Sequence, residues 1–274
     1  MYDPLQPASN NASLSAIDPG DTGEIRKEED VEQALKETQE RLYDLHYLMY
    51  AENRRALLIV LHGIDASGKD GTVRYLAGGL NPQGCRIHSF KAPSEEETEH
   101  DYLWRIHRAC PGRGEVGIFN RSHYEEVATV KVHPELILKQ NLPREVEQQK
   151  DIFEQRYRQI RDFERMLHEN GTVILKFLLH ISRDEQQKRF DKRLSDPKKN
   201  WKFSSQDLVE REYWDNYMKA FEEMIAATTA EHAPWHIIPA DKKWYRNYLV
   251  GRIVEQRLRA LDMKFPRLTI DDNR

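Results

Sequence analysis

The chain has 274 residues, 39% hydrophobic and 32% charged, which suits a single water-soluble α/β core and excludes a disordered chain. A formal net charge of −4 excludes a surface that is basic throughout, so any polyanion has to be met by a local cluster of Lys and Arg. No apolar run reaches the roughly 18 residues a bilayer span needs, no secretory leader is visible, and Cys85 and Cys110 lack metal spacing, so a reduced cytoplasmic protein without a membrane partner is expected.

Residues 1–28 are read as a flexible N-terminal arm, because Met1 to Gly23 carries Pro, Asn, Ser and Gly with few large apolar side chains, suiting a mobile or surface-draped segment. From Glu29 to Met49, Val31, Leu35, Leu42, Leu45 and Leu48 recur at helical spacing and predict an amphipathic helix. The next region alternates short apolar runs with amphipathic stretches, as parallel strands joined by crossover helices do. Strands are predicted at Ala56 to Leu61, Arg86 to Phe90, Val116 to Asn120, Thr172 to Leu179 and His236 to Pro239. The first is apolar without alternation, which marks a central strand covered on both faces. Residues 29–264 are read as one domain and 265–274 as a C-terminal tail.

Directly after the first strand comes Gly63-Ile64-Asp65-Ala66-Ser67-Gly68-Lys69-Asp70-Gly71-Thr72, followed by a helix predicted over Val73 to Leu80. Strand, glycine loop and helix in that order make a phosphate cradle: Gly63 and Gly68 permit the turn, backbone N–H groups point inward, and Lys69 adds full charge. Asp70 stands where a Ser or Thr commonly holds magnesium, so Asp65 is read as a magnesium ligand or proton acceptor, with an Asx-turn role as its bland alternative. The third strand ends on Asn120, an uncharged oxygen donor, and delivers Arg121 to the carboxyl edge of the sheet, where ligands of open parallel sheets bind. Arg121 can neutralise a transferring phosphoryl group or form a structural ion pair with Glu125 or Glu126. His123 is assigned to packing or orientation.

Between the fourth and fifth strands, residues 183–215 are read as a helical lid. Arg183, Lys188, Arg189, Lys192, Arg193 and Lys202 concentrate positive charge there, Arg189 with Arg193 and Lys188 with Lys192 forming rows four residues apart. The aromatic residues Trp201, Phe203, Tyr213, Trp214, Tyr217 and Phe221 are assigned to core packing, and their segregation from the cations argues against a nucleic-acid partner.

Taken together, the Gly63-x-Asp65-Ala66-Ser67-Gly68-Lys69-Asp70-Gly71 loop, Tyr102-Leu103-Trp104-Arg105, Phe119-Asn120-Arg121-Ser122-His123-Tyr124-Glu125 and Trp201-Lys202-Phe203-Ser204 resemble the polyphosphate kinase type 2 family, over about Leu35 to Arg259. The resemblance implies a three-layer α/β/α P-loop kinase fold, thymidylate-kinase-like, with a parallel sheet and a helical lid. It also implies dependence on magnesium, with manganese as a substitute, and reversible phosphoryl transfer from inorganic polyphosphate to AMP and ADP, giving ADP and ATP. Guanine nucleotides are further candidate acceptors, and a homo-oligomer is expected. Carried over by position, Asp65, Lys69 and Arg121 are catalytic, with Asp65 also the metal ligand. Gly63, Ala66, Ser67, Gly68, Asp70, Gly71, Thr72, Asn120, Tyr124 and Glu126 would bind phosphate or nucleotide, and Arg183, Lys188, Arg189, Arg193 and Lys202 would meet polyphosphate. Asn120 and Glu126 resemble the subgroup that accepts both AMP and ADP. The competing readings are an ATP-dependent kinase of a small metabolite or nucleoside monophosphate, and a noncatalytic polyanion-binding module.

Overall fold

A computed structural model describes residues 2–202 and 204–267. Strands β1 (Ala56–His62), β2 (Cys85–Ser89), β3 (Val116–Asn120), β4 (Thr172–His180) and β5 (Trp235–Pro239) pair in parallel in the order β2-β3-β1-β4-β5. Each lies within one residue of its sequence expectation. The helices are α1 (Glu32–Glu52), α2 (Lys69–Ala77), α3 (Glu95–Thr98), α4 (Trp104–Ala109), α5 (Thr129–Val132), α6 (Arg144–Glu147), α7 (Ile152–Glu169), α8 (Arg183–Ser195), α9 (Ser205–Glu210), α10 (Trp214–Thr228) and α11 (Lys243–Arg259). One helical layer joins α1, α2 and α11, and the other joins α7 and α10, giving the three-layer α/β/α arrangement. Every residue of β1 and β4 is buried, as the unalternating apolar runs require of strands covered on both faces.

Helix α1 starts at Glu32, three residues later than expected, because Glu28–Asp30 form a separate 3-10 turn. It buries Thr38, Leu42, His46 and Met49 along one stripe and stops at Asn53, whose left-handed φ of 51° caps the helix while its N–H donates to the Met49 carbonyl. Helix α2 begins at Lys69 itself, earlier than Val73, so the loop's lysine opens the helix.

Of the two forms expected of the N-terminal arm, mobile or surface-draped, the structure has the draped one. The Ala8 N–H donates to the Trp235 carbonyl at 2.7 Å, the Tyr2 hydroxyl donates to the Ile237 carbonyl at 2.9 Å, and Ala8, Leu14 and Ile17 are buried in the main core. These contacts cover the outer edge of β5, whose unpaired backbone would otherwise be exposed. Its few apolar residues, spaced far apart, give no periodic signal, yet Ala8, Leu14 and Ile17 are buried.

Inside the core, Lys176 on β4 has no exposed surface. Its ammonium donates to Glu164 at 2.6 Å, to the Tyr124 hydroxyl at 2.7 Å and to the Thr228 carbonyl at 2.9 Å, while the Tyr124 hydroxyl donates to the other Glu164 oxygen at 2.7 Å. Burial disfavours the charges on Lys176 and Glu164, and only their mutual proximity and complete hydrogen bonding make the pair tolerable. Glu164→Gln is therefore expected to destabilise the protein by about 3 kcal/mol, since it strands the Lys176 charge. Urea unfolding monitored by fluorescence reads this, and a shift near zero would show that Lys176 is held neutral without Glu164.

Candidate active site

Parallel registry sets Leu61 opposite Asn120, so the loops leaving β1 and β3 emerge side by side at the carboxyl edge. The first, residues 63–68, needs unusual backbone. Gly63 has φ 138° and Gly68 φ 109°, and a Cβ at Gly63 would lie 2.7 Å from the Leu179 carbonyl, so neither position tolerates a side chain. The Lys69 ammonium curls over this loop and donates to the Gly63 carbonyl at 2.6 Å and the Ile64 carbonyl at 3.1 Å. Burial, reinforced by Arg121, lowers its pKa to about 8.

The second loop opens with Arg121 at φ 65°, a left-handed conformation that costs a non-glycine residue of order 1 kcal/mol or more. This turn aims the guanidinium back across the sheet edge, where it donates to Asp65 at 2.5 Å and Glu125 at 3.4 Å. Glu125 also takes the Thr129 hydroxyl at 2.6 Å and lies 3.2 Å from His62 Nε2. Burial alone would raise the Glu125 carboxyl, but Arg121, His62 and Thr129 outweigh it and hold it well below the usual range. Arg121 is thus a fixed cation gripped by two carboxylates. Nearby, the Asn120 amide donates to Asp70 at 2.9 Å.

These groups border a cleft of about 460 Å³ lined by the loop, Asn120, Arg121, Arg193, Trp201 and Asp207. It adjoins a second cavity of about 660 Å³, with Phe90, Lys91 and Arg121 common to both. That cavity leads past Glu126 and Gln140 to a third of about 360 Å³. Glu126 accepts from Arg156 at 3.1 Å and Gln140 at 2.6 Å; burial raises its pKa despite these donors. Oxygen donors Asp65, Asp70 and Asn120 thus face one cleft with Lys69 and Arg121, and an anhydride substrate could bridge the cleft and the cavity with Arg121 between them.

The sequence model described as Polyphosphate kinase 2 (PPK2) matches residues 25–266. The chain belongs to the polyphosphate kinase 2 family. It is 47% identical over 235 residues to an ADP-polyphosphate phosphotransferase of Rhodopseudomonas palustris, covering 86% of this chain and 81% of that one. It is also 47% identical over 255 residues to an AMP/ADP-polyphosphate phosphotransferase of Meiothermus ruber, covering 92% and 91% of the two chains. The crystal structure of Polyphosphate Kinase 2 from Arthrobacter aurescens TC1 superposes with a TM-score of 0.90 at 38% identity, covering 98% of this chain and 94% of that one. With the parallel five-stranded sheet, this establishes a P-loop kinase fold.

Within this family fold, Gly63, Asp65, Ala66, Ser67, Gly68, Lys69, Asp70, Asn120 and Arg121 come together around the cleft or its loop, and Glu126 borders the adjoining cavity. Gly71 backs the loop, and Thr72 is fully buried with its hydroxyl on the Gly68 carbonyl at 3.4 Å, so neither offers a side chain to the cleft. Tyr124 is corrected: it is wholly enclosed in the Glu164–Lys176 network rather than facing a ligand. Arg189 is corrected as well. Its guanidinium turns inward and donates to the carbonyls of Ala66, Ser67, Ala240 and Asp241 at 2.6 to 3.0 Å, which consumes the donors a polyphosphate would need. Arg193 reaches the cleft, bonded to Asp207 at 3.3 Å. Arg183 and Lys188 are exposed outside it, and the Lys202 side chain and Phe203 lie outside the described residues. Trp201, assigned to core packing, is 74% exposed at the cleft rim. The functional neighbours not anticipated are His62, Thr129 and Asp207. Glu125 carried one signal, its position four residues after Arg121.

Proposed function

We propose that the protein transfers the terminal phosphoryl group of inorganic polyphosphate to AMP and to ADP, forming ADP and ATP reversibly. The observation that carries this reading is Arg121 held at the junction of the loop cleft and the adjoining cavity, where a donor chain and an acceptor nucleotide would meet. The curated relatives' names supply the donor and acceptors.

In this reading the backbone N–H groups of Gly63–Lys69 and the Lys69 ammonium hold the donor phosphates, and Arg121 neutralises charge on the phosphoryl group in flight. The acceptor phosphate is already ionised, so the chain needs to align it and screen its charge rather than deprotonate it. Asp65, paired with Arg121 at 2.5 Å, is suited to hold that cation and a metal together.

The oxygen set of Asp65, Asp70 and Asn120 fits magnesium or manganese in chemistry. Among the described residues no cluster of three or more His, Cys, Asp or Glu side chains could hold a metal alone, which suits an ion bound by one or two carboxylates together with substrate phosphates. When bound, the ion would draw charge from the phosphate oxygens. Guanine acceptors, a homo-oligomer, a cytoplasmic location and a lid over residues 183–215 complete the proposal. Among the described residues, no helix is long and apolar enough to cross a membrane.

Incubation of the protein with magnesium, long-chain polyphosphate and either AMP or ADP, without added ATP, tests the reading. ADP and ATP are expected from AMP, and ATP from ADP. Products that appear only when ATP is supplied would replace it with an ATP-dependent kinase, and no product at all would favour a binding module.

A further inference from the structure

The central strand β1 is six apolar residues followed by one polar residue, His62, which the transfer scheme does not use. His62 is 2% exposed and sits at the root of the phosphate loop, next to Gly63. Both of its ring nitrogens are enclosed, and neither makes an aligned hydrogen bond among the described residues. Burying a polar ring without such a bond costs stability, so an apolar side chain would serve better if packing were its only task.

What lies beside the ring gives it another task. Its Nε2 is 3.2 Å from Glu125 Oε1, close enough that a small turn of either group completes a hydrogen bond. A cavity of about 20 Å³ bordered by His62, Arg121, Glu125 and Thr129 leaves room for that turn. The other carboxylate oxygen, Oε2, is already committed, accepting from the Thr129 hydroxyl at 2.6 Å and from Arg121 at 3.4 Å. Among the described residues, Oε1 accepts from no other side chain. A carboxylate held through one oxygen alone can swing about its last bond, and Glu125 is one of the two carboxylates that aim Arg121. The imidazole blocks that swing. The ring is itself fixed, edge-on to Phe221 of α10 with 5.6 Å between centroids and 74° between planes. Phe221 is buried in the main core, so the line Phe221–His62–Glu125–Arg121 runs from packed core to cleft.

We propose that His62 is a positioning residue for phosphoryl transfer: its Nε2 donates to Glu125 Oε1 as substrate engages Arg121, and so keeps the guanidinium in line with the phosphoryl group. The inference rests on the role given to Arg121 above and extends it to a residue that touches neither substrate. Hydrogen bonds of a catalytic site are often long in the free enzyme and tighten when substrate binds. Here a phosphate that draws Arg121 outward lengthens its contact with Glu125, and the carboxylate then depends on its second holder. Asp65 keeps its own grip on the guanidinium at 2.5 Å, so losing His62 loosens the aim of Arg121 without abolishing it.

The test measures kcat and KM with long-chain polyphosphate, ADP and magnesium in three comparisons. His62→Leu removes the donor and keeps an apolar group against Phe221; kcat is expected to fall about tenfold while KM for either substrate moves less than about twofold. His62→Gln, whose amide nitrogen falls near the Nε2 position, is expected to recover most of the rate. In a Glu125→Gln background His62→Leu is expected to cost little further, because its effect passes through that carboxylate. Should His62→Leu fail to fold, His62→Asn, whose amide reaches only the Nδ1 position, takes its place with the same expected loss. An unchanged kcat on removal of the donor, a His62→Gln variant as slow as the donor-less one, or an equal loss in the Glu125→Gln background each overturns the proposal. A wild type that transfers only when ATP is supplied overturns the polyphosphate donor alone, and the same comparisons with ATP as donor then decide on His62.

Discussion

Lys69→Ala is expected to lower kcat by about three orders of magnitude, with the thermal midpoint within a few degrees of the wild type. The ammonium sits over the loop with its hydrogen bonds on the Gly63 and Ile64 carbonyls, and only 8% of the residue is exposed. It is a charge held out of water beside another cation, Arg121, which is why its pKa falls to about 8. The folded pKa lies below the ordinary lysine value, so between about pH 8 and the ordinary range the unfolded chain binds the extra proton. Stability from this group therefore rises with pH across that window, and the penalty is fully present below it. The same charge is what phosphate requires. Binding a phosphate favours the ammonium form, so affinity should decline as pH rises through about 8 and binding at that pH should take up a proton. Lys69→Ala should abolish that uptake along with the rate. Calorimetry in buffers of different ionisation enthalpy measures the first, and product formation the second. A variant that transfers at near wild-type rate would remove Lys69 from the phosphate site.

The sheet was legible because burial on both faces writes itself as a continuous apolar run. Ala56–His62 and Thr172–His180 are such runs, and both are entirely buried. The loop was legible because only glycine serves at Gly63 and Gly68, and a lysine at that spacing has few other uses. The lid was legible as charge but not as direction. Spacing puts Arg189 and Arg193 on one face of α8, yet Arg189 ends among four backbone carbonyls and Arg193 reaches the cleft, since a long side chain is aimed by what its helix packs on. Tyr124 misled for a related reason: it lies three residues past Arg121, but the left-handed turn at Arg121 and the 3-10 turn at His123–Glu126 carry it back under the sheet edge. Trp201 misled in the opposite sense, its helical spacing suggesting burial that α8 and α9 do not provide. His62 gave no signal of its own in the sequence, because its place beside Glu125, far away along the chain, appears only in the fold.

Arg121→Lys should lower kcat by about two to three orders of magnitude and leave the acceptor KM much less affected. Lysine keeps the charge but loses the planar fork, and here the fork is in use: one terminal nitrogen is on Asp65 at 2.5 Å, the other 3.4 Å from Glu125. Proximity to Glu125, against the opposing effect of burial, and the further attraction of Asp65 raise the guanidinium pKa well above its ordinary value, so the charge is permanent and pH cannot rescue or remove it. What the two carboxylates add is aim. They hold the cation at the junction of cleft and cavity, and a group held in place before reaction stabilises the transition state without reorganising. A lysine can satisfy one carboxylate at a time and will wander between them, so ground-state attraction for phosphate survives while alignment does not. The split between kcat and KM is the reading that matters. A fall in kcat with KM nearly unchanged assigns Arg121 to the phosphoryl group in flight; a rise in KM with kcat intact would make it a substrate anchor, and no change in either would reduce it to the structural ion pair with Glu125 that its sequence spacing also allows.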